Sequence, residues 1–388
     1  MRSVELFAGA GGLAIGMSNA GFEHAAVVEW NHDACETFRE NQRDKRNAWP
    51  LYEGDVQAFD YTALKDVVVV SGGPPCQPFS QGGKHKGHED TRDMFPQAVR
   101  AVRELQPKAF IFENVKGLMR GTFTDYFEYI QLQLAHPNLV RRKVETWEDH
   151  RSRLERHHTS SKASPEYNVV FRLLNASNYG VPQRRERVFL VGFRSDLGIE
   201  WNFPEGTHSE SALLRSKWVT GDYWERHEVS KRNRPELNLR SIKRIARLRN
   251  DELFEAGRLP WLTVRDAISD LPDPEKHQNN GIPNHIFYPG ARRYKGHTGS
   301  PLDEPAKTLK AGDHGVPGGE NMLSRVDGSI RYFTVREAAR VQTFPDTFKF
   351  NNAWTESMRQ LGNAVPVQLA ESVAHSVAAV LLPRERRN

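Results

Sequence analysis

Short apolar segments alternate with helical segments over the first 200 residues, and this alternation constrains the fold more than any other feature. Runs rich in Val, Ile, Phe and Ala occur at residues 4–7, 25–28, 67–70, 109–112 and 188–191. Near-continuous apolar runs are typical of strands that are covered on both faces. Helical patterns lie between them, for example at residues 33–41 and 94–105. The sequence therefore predicts an α/β fold with a doubly wound, mostly parallel sheet.

The alternation breaks at about residue 201, which indicates a second domain. From there to residue 324, Pro, Gly, Asn and His become frequent and long apolar periodicity disappears. Regular patterns return at residues 333–344 and 365–382, where a proline suits the first turn of a helix. We therefore expect a first domain at residues 1–200, a smaller irregular domain inserted at 201–324, and a return to the first domain at 325–388.

Composition narrows the class of protein. The 388 residues are 38% hydrophobic and 27% charged, which is typical of a globular chain and not of a disordered one. Apolar runs are only a few residues long, and Glu5 stands where a signal peptide would be apolar, so neither a membrane span nor an export signal is expected. Two cysteines, Cys35 and Cys76, are too few for a disulfide framework or a cysteine zinc site, so we expect a cytoplasmic protein without a metal.

Positive charge is concentrated in one segment. The whole chain has a net charge of +5, but residues 214–250 alone contain eleven Lys and Arg against four acidic side chains. Such a segment suits contact with nucleic-acid phosphates. A solvated basic helix face explains the charge equally well.

Side chains suited to a nucleoside follow the predicted strands, at the edge of the sheet where ligands of open α/β sheets bind. Gly9 and Gly11 follow the first strand, where glycine permits a tight turn and close backbone approach. Glu29 and Trp30 follow the second strand and suit a ribose and an adenine, and Asp55 can accept from an adenine amino group. These residues predict an adenosine site. The glycine spacing also fits a nicotinamide dehydrogenase, and the carboxylates alone fit an ordinary surface.

Cys76 is the candidate nucleophile. It follows the third strand in the rigid segment Gly73-Pro74-Pro75-Cys76, whereas Cys35 lies within an apparent helix and is expected to be buried. Basic neighbours such as Lys84 or Arg185 would favour the reactive thiolate.

Glu113, Arg185 and Arg187 are the other candidate catalytic residues. Glu113 ends the fourth strand, where it can hydrogen-bond or protonate a substrate nitrogen. Arg185 and Arg187 precede the fifth strand, and in an extended segment they would share a face, hold a carbonyl oxygen and support Glu113. A surface ladder of ion pairs is the alternative interpretation of this basic run.

These blocks, in this order, resemble the DNA cytosine-5 methyltransferase family. They comprise residues 5–12, 29–30, 54–56, 74–80, 113–115, 183–187, 334–345 and 360–365. The resemblance covers nearly the whole chain except about residues 201–320. The shared order argues against a dehydrogenase, which also has no role for Cys76.

The resemblance implies a Rossmann-like methyltransferase that transfers a methyl group from S-adenosylmethionine to C5 of a flipped cytosine in a specific duplex DNA sequence. Cys76 resembles the nucleophile that adds to C6, Glu113 the group at N3 and N4, and Arg185 and Arg187 the pair that holds O2. The residues implied to bind S-adenosylmethionine are Phe7, Gly9, Gly11, Glu29, Trp30, Asp55, Asn363 and Val365. The loop at residues 80–93 is implied to close on DNA, with Ser80 and Lys84 in contact with it.

The inserted domain is expected to recognise the target sequence. Arg292, Arg293 and Lys295 are predicted to contact bases, and Lys243 and Arg244 to contact phosphates. A structural connector is the alternative for residues 279–314. The expected setting is a bacterial restriction-modification system, whose endonuclease acts on the same site and need not bind this chain. A tRNA cytosine methyltransferase and an inactive DNA-binding relative remain the alternatives.

Overall fold

A computed structural model of the chain describes residues 1–43, 48–75, 93–160, 165–237, 239–250, 257–277, 281–295, 297–311 and 321–382. Contacts divide the chain into two units. The first unit comprises Met1–Leu174, Glu186–Pro204 and Ala370–Asn388, and the second comprises Asn175–Arg185 and Glu205–Leu369.

The first unit is built on one large sheet, which has seven strands within the described residues. They are β1 (Arg2–Leu6), β2 (Glu23–Glu29), β3 (Leu51–Glu53), β4 (Val67–Gly72), β5 (Ala109–Val115), β6 (Tyr167–Asn175) and β7 (Glu186–Arg194). Their order is β3-β2-β1-β4-β5-β7-β6, in which β1 to β5 pair in parallel and β7 is antiparallel to β5. The strand order reverses between β1 and β4, which is where ligands bind in such sheets. The predicted α/β fold is confirmed.

Helices flank this sheet where the sequence supplies caps and apolar faces. They include α1 (Gly12–Asn19), α2 (His32–Gln42), α3 (Phe95–Leu105), α4 (Thr124–Ala135) and α5 (Trp147–His158). The Asn31 side chain caps α2 by accepting the Ala34 N–H, and Thr146 and Asp149 form a capping box on α5. Apolar side chains of the central strands and of α3 and α4 form one continuous buried core.

The predicted strands all overlap observed ones, but β6 was not predicted. Its residues are mostly exposed or partly exposed, since β6 lies at the edge of the sheet, and Arg172 interrupts its apolar residues. Asp55 follows the short strand β3, which pairs with β2.

The second unit is made of short elements, as the Pro- and Gly-rich sequence suggested. In the described part of the chain its helices are α6 (Glu210–Arg215), α7 (Asp222–Arg226), α8 (Leu239–Asn250), α9 (Val264–Ile268), α10 (Val335–Val341) and α11 (Trp354–Asn363). Its strands are β8 (His208–Ser209), β9 (Leu259–Pro260), β10 (Ser300–Pro301), β11 (Met322–Ser324) and β12 (Ile330–Tyr332). One apolar cluster of this unit is centred on Trp224 and Trp261.

The contact-based boundaries differ from the predicted ones in three places, the first being Asn175–Arg185, which lies within the predicted first domain but belongs by contacts to the second unit. Trp201 stays with the first unit, because its ring packs on Phe193 and its Nε1 donates to Ser376 Oγ at 2.9 Å. Residues 325–369 belong by contacts to the second unit, since Arg340 of α10 donates to Asp270 at 2.6 Å. The chain returns to the first unit within α12 (Val367–Leu381). The functional roles of the predicted domains stay predictions.

One helical stretch in the described residues, Trp354–Leu381, is long and apolar enough to cross a membrane by length and composition alone. This is a weak indication, because the stretch consists of α11 and α12, and 56% of its most apolar window is buried inside the protein. A core helix of a globular protein passes the same test.

Candidate active site

The loop between β1 and α1 contains three left-handed backbone positions. Phe7, Gly9 and Gly11 have φ angles of 57°, 55° and 84°. A Cβ on Gly11 would lie 2.7 Å from Phe38 Cζ, whereas the space around a Cβ on Gly9 is open. Glycine at position 11 is therefore required by both conformation and packing. The predicted tight turn is present at the end of β1.

Glu29 ends β2 beside this loop. Its Oε2 accepts the Gly9 N–H at 2.7 Å, and its Oε1 accepts the N–H groups of Trp30 and Asn31 at 3.0 and 2.8 Å. A carboxylate has about four acceptor positions, so in this conformation about one remains for a ligand hydroxyl, and not the two that a ribose offers. Trp30 is 77% exposed and leaves an indole face open at the same edge.

Asp55 is exposed next to the end of β2. Its Oδ1 accepts the Gln57 N–H at 2.9 Å, and the preceding Gly54 donates its N–H to the Glu29 carbonyl at 2.9 Å. Asn363 and Val365 lie in the second unit, where Asn363 is exposed at the end of α11 and Val365 is buried. Contact of these residues with S-adenosylmethionine stays a prediction.

The segment after β4 is held against the end of β5. Pro74 O accepts a hydrogen bond from Asn114 Nδ2 at 2.8 Å, and a Cβ on Gly73 would lie 3.2 Å from Glu113 Oε2. Pro75 O accepts the N–H of Met94 at 3.1 Å. Residues 73–75 therefore lead into position 76 from directly beside Glu113. Cys76, Ser80 and Lys84 themselves lie outside the described residues.

Glu113 and Arg187 form a buried ion pair. Arg187 Nε lies 2.7 Å from Glu113 Oε1, and the two side chains are 11% and 9% exposed. The antiparallel pairing of β5 with β7 brings the two residues together, because Arg187 lies opposite Val115 in the register. Burial lowers the pKa of the Arg187 guanidinium from its ordinary value, and the Glu113 carboxylate opposes this shift. The predicted support of Glu113 by Arg187 is present, and their contact with cytosine stays a prediction.

Arg185 binds backbone carbonyl groups of the second unit. Its Nη1 donates to Leu309 O at 2.9 Å, and its Nη2 donates to Gly362 O at 2.6 Å and to Ala364 O at 2.9 Å. The sequence predicted that Arg185 and Arg187 share a face, which requires both residues to lie in one extended strand. Arg185 lies outside β7, because this strand begins at Glu186. Arg185 therefore holds the turn that contains Asn363, and its predicted contact with cytosine O2 stays a prediction.

Cys35 is buried, as expected from its place in a helix. Its side chain lies in α2 with no exposed surface, and burial raises the pKa of its thiol to about 12. A thiol with such a pKa is almost entirely protonated at neutral pH, so Cys35 is unsuited to act as a nucleophile.

The predicted base-contacting residues lie on an exposed turn of the second unit. Tyr294 and His297 exchange two backbone hydrogen bonds across this turn, and Arg292, Arg293 and Lys295 are exposed on it. The Arg293 guanidinium donates to the carbonyl of Gly328, so this side chain also stabilises the turn.

The basic segment is less cationic at its surface than its composition suggests. Lys243 is exposed on α8, but Arg244 donates to Glu210 at 2.7 Å and to Ser211 at 3.1 Å. Further pairs join Lys217 to Glu304 at 3.0 Å and Arg226 to Asp266 at 2.7 Å. These acids lie outside residues 214–250, so a count within the segment misses them. A phosphate contact by Arg244 would have to compete with its ion pair.

Several residues that shape the site were missed by sequence reasoning. Asn114 and Gly73 position the backbone that leads to Cys76, and the buried amides of Gln183 and Gln342 hydrogen-bond each other at 3.1 Å. Gln183 Oε1 also accepts the Leu309 N–H at 2.9 Å. Asn114, Gly73 and Gln183 are close in sequence to Glu113, to the paired prolines and to Arg185, which is a usable signal that Gln342 does not share. The partners of all four residues depend on the tertiary fold.

Comparison with known proteins identifies relatives along nearly the whole chain. Residues 1–137 and 148–379 match the family described as C-5 cytosine-specific DNA methylase. The chain is 29% identical to the Type II methyltransferase M.NgoMIV of Neisseria gonorrhoeae, over 98% of this chain and 97% of that protein. It is 32% identical to the Type II methyltransferase M.Eco47II of Escherichia coli, over 97% of this chain and 79% of that protein. The solved structure of the S. pombe Dnmt2 methyltransferase superposes with a TM-score of 0.55 at 16% identity, over 98% of each chain.

The shared architecture is that of Rossmann-like methyltransferases. The chain belongs to the C-5 cytosine-specific DNA methylase family. Its curated relatives are Type II methyltransferases of restriction-modification systems, and its activity is methyl transfer to C5 of cytosine in DNA. The dehydrogenase alternative is thereby excluded.

Proposed function

We propose that this chain uses S-adenosylmethionine to methylate one cytosine within a specific duplex DNA sequence, with Cys76 as a covalent nucleophile. The buried Glu113–Arg187 ion pair carries the proposal. It lies beside residues 73–75, whose backbone leads directly into Cys76. A rigid acid next to a candidate thiolate is the combination that addition to a cytosine ring requires.

The ends of β1 and β2 fit the adenosine part of S-adenosylmethionine. The left-handed turn at Gly9 and Gly11 lets a ligand approach the backbone closely, Glu29 keeps about one acceptor position, and the exposed Trp30 ring offers a stacking surface. The bound donor would supply a methyl group on a positively charged sulfur. Asp55 is exposed at the neighbouring strand end, where an adenine amino group would find an acceptor.

The residues of the chain have separate roles in the proposed reaction. The Cys76 thiolate adds to C6 of a cytosine that has been flipped out of the duplex, and the π electrons of the C5–C6 double bond shift to C5 and N3. Once Glu113 has taken up a proton, it stabilises this charge by hydrogen-bonding or protonating N3, while Arg187 keeps Glu113 oriented. After C5 is methylated, loss of the C5 proton to a base or water expels the thiolate and restores the aromatic ring.

The proposed biological partner is a restriction endonuclease that recognises the same DNA sequence. The support is that the curated relatives are Type II methyltransferases. Such a partner acts on the same site without having to bind this chain, and both proteins would work in the cytoplasm.

Matched cysteine variants test the nucleophile. Cys76→Ala should abolish transfer of labelled methyl groups from S-adenosylmethionine to duplex DNA while cofactor binding survives. Cys35→Ala is the matched control and should retain activity, because Cys35 is buried with a thiol pKa of about 12. DNA that contains 5-fluorocytosine should trap a covalent adduct on the wild type and on Cys35→Ala only, since fluorine blocks the final elimination.

Two outcomes would contradict the proposal. Appreciable methyl transfer by Cys76→Ala would show that the reaction needs no thiolate at this position. Labelling of tRNA in place of duplex DNA, in a competition between the two, would assign the chain a different nucleic-acid substrate.

A further inference from the structure

Glu5, near the centre of the large sheet, is a carboxyl group that the proposed chemistry does not use. Its residue is 1% exposed. In the register it lies opposite Val27 of β2 on one side and Ser71 of β4 on the other. Its own strand leads into the glycine loop at Phe7, and β4 leads toward Cys76. Glu5 therefore stands between the two strands that carry the cofactor loop and the nucleophile.

The surroundings of the carboxyl group suit its protonated form. Ser71 Oγ lies 3.2 Å from Glu5 Oε2 and 3.5 Å from the Val4 carbonyl oxygen. A protonated Glu5 can donate to Ser71, and the Ser71 hydroxyl can then donate to Val4. Glu5 Oε1 is buried without a hydrogen-bond partner among the residues that the structure describes, which costs far less for a neutral acid than for a carboxylate.

Among the described residues, the helix α1 and the strands β2 and β4 place no balancing cation beside Glu5. The helix α1 and the strand β4 contain no titratable side chain. On β2, burial lowers the pKa of His24 to about 4, so its imidazole is neutral, and its Nε2 contacts Ala14 O at 2.9 Å. The other titratable side chains of β2 are carboxylates, Glu23 at its start and Glu29 at its end. Burial accordingly raises the pKa of Glu5 to about 8, although Ser71 and the Ala14 backbone offset part of the shift.

We propose that Glu5 is a positioning residue that works as a neutral carboxylic acid. It joins β1 to Ser71 of β4, directly before the glycine loop that follows β1, and it thereby holds this loop in the shape that binds the methyl donor. Ionisation would place an unbalanced charge in the core and disturb this loop. The inference rests on the proposed cofactor site.

Cofactor affinity should therefore be linked to one proton. If only the protonated form binds, the apparent Kd increases as the protonated fraction falls, and well above the pKa the increase approaches tenfold per pH unit. Glu5→Gln preserves the size and hydrogen-bonding capacity of the side chain but cannot ionise, so this variant should lose the linkage. Glu23→Gln is the matched control, because Glu23 is an exposed glutamate on β2.

The first measurement is the Kd of S-adenosylhomocysteine by calorimetry between about pH 7 and pH 9.5. For the wild type and Glu23→Gln the Kd should rise by about tenfold or more relative to Glu5→Gln. Titration of the ligand itself cancels, because it is the same for every variant. Parallel pH profiles for the wild type and Glu5→Gln would overturn the proposal.

The second measurement is urea unfolding of the ligand-free protein, which separates Glu5 from the cofactor hypothesis. The folded-state pKa of Glu5 is raised above its unfolded value, so rising pH removes stability between the ordinary glutamate pKa of 4.5 and about 8. The wild-type midpoint should therefore fall relative to that of Glu5→Gln between about pH 6 and pH 8. A difference that does not change with pH would overturn the proposal. If no variant binds S-adenosylhomocysteine, the cofactor assignment fails, and the urea experiment still decides the state of Glu5.

Discussion

Removing either partner of the Glu113–Arg187 ion pair should damage folding as well as catalysis, and a double-mutant cycle can separate the two effects. The paired atoms are 2.7 Å apart, and the side chains are only 11% and 9% exposed. Breaking a buried pair by removing one partner typically costs about 3–5 kcal/mol, because the other charge stays buried. We therefore expect Arg187→Met or Glu113→Leu to lower the free energy of unfolding of the first unit by about that amount.

The double variant Arg187→Met/Glu113→Leu should be more stable than either single variant, since neither charge remains. Its methyl transfer should nevertheless stay absent, because the group proposed to act at N3 has been removed. Native-state hydrogen exchange of the β5 amides measures the first unit separately, which matters because a chain of two units need not unfold in one step. Methyl transfer is followed in a single turnover on duplex DNA.

Two results would refute this reasoning. Stability effects that add to within about 0.5 kcal/mol would show that the two side chains are not coupled. Methyl transfer by the double variant at a rate close to the wild-type rate would show that N3 is handled by another group.

Two further comparisons use matched variants. Gly11→Ala should weaken S-adenosylhomocysteine binding and lower stability more than Gly9→Ala does. At both positions an alanine pays about 1–2 kcal/mol for the left-handed backbone, but only the Cβ at position 11 meets an aromatic ring, at 2.7 Å. Equal effects of the two variants in calorimetry and urea unfolding would contradict this. Arg292→Ala should reduce the preference for the target sequence by about 1–3 kcal/mol. Lys243→Ala should weaken binding to every DNA sequence alike and make binding less dependent on salt. Affinities for target and unrelated duplexes measure both effects, and the opposite pattern would show that the two segments were assigned the wrong way round.

The large sheet is predictable because its central strands are covered on both faces. Residues 67–70 are four consecutive valines, and they form the first four residues of β4. The edge strand β6 escapes the same reasoning, since Arg172 interrupts its apolar residues and most of the strand is exposed or partly exposed. A run of apolar residues thus indicates that a segment is buried, and it indicates a strand only when that strand is buried.

The candidate site is predictable where a side chain and its partner both stand at strand ends. Glu113 and Arg187 meet because β5 and β7 are neighbours. Arg185 is different, because its three carbonyl partners are 124, 177 and 179 residues away in sequence. No local sequence pattern encodes contacts at such separations. The sequence therefore predicts a cation at this position, but only the fold determines which atoms it binds.

The charge of the basic segment, residues 214–250, is the case in which counting residues misleads most. Each phosphate contact contributes about 0.9 to the slope of log affinity against log salt, because a protein cation that neutralises a phosphate releases counterions from DNA. An arginine whose charge is already balanced by a carboxylate does not neutralise a phosphate, so it releases no counterions. Among the described side chains of this segment, Lys217, Arg226 and Arg244 are paired with acids, and Arg226 is nevertheless exposed. Four further cations are exposed, namely Lys231, Arg232, Lys243 and Arg247. Replacing these four residues by Gln should therefore reduce the slope by at most about 3.6. Replacing Arg244 alone should leave the slope nearly unchanged and lower the stability of the second unit, and a loss of slope near 0.9 for Arg244→Gln would show that its ion pair opens on DNA.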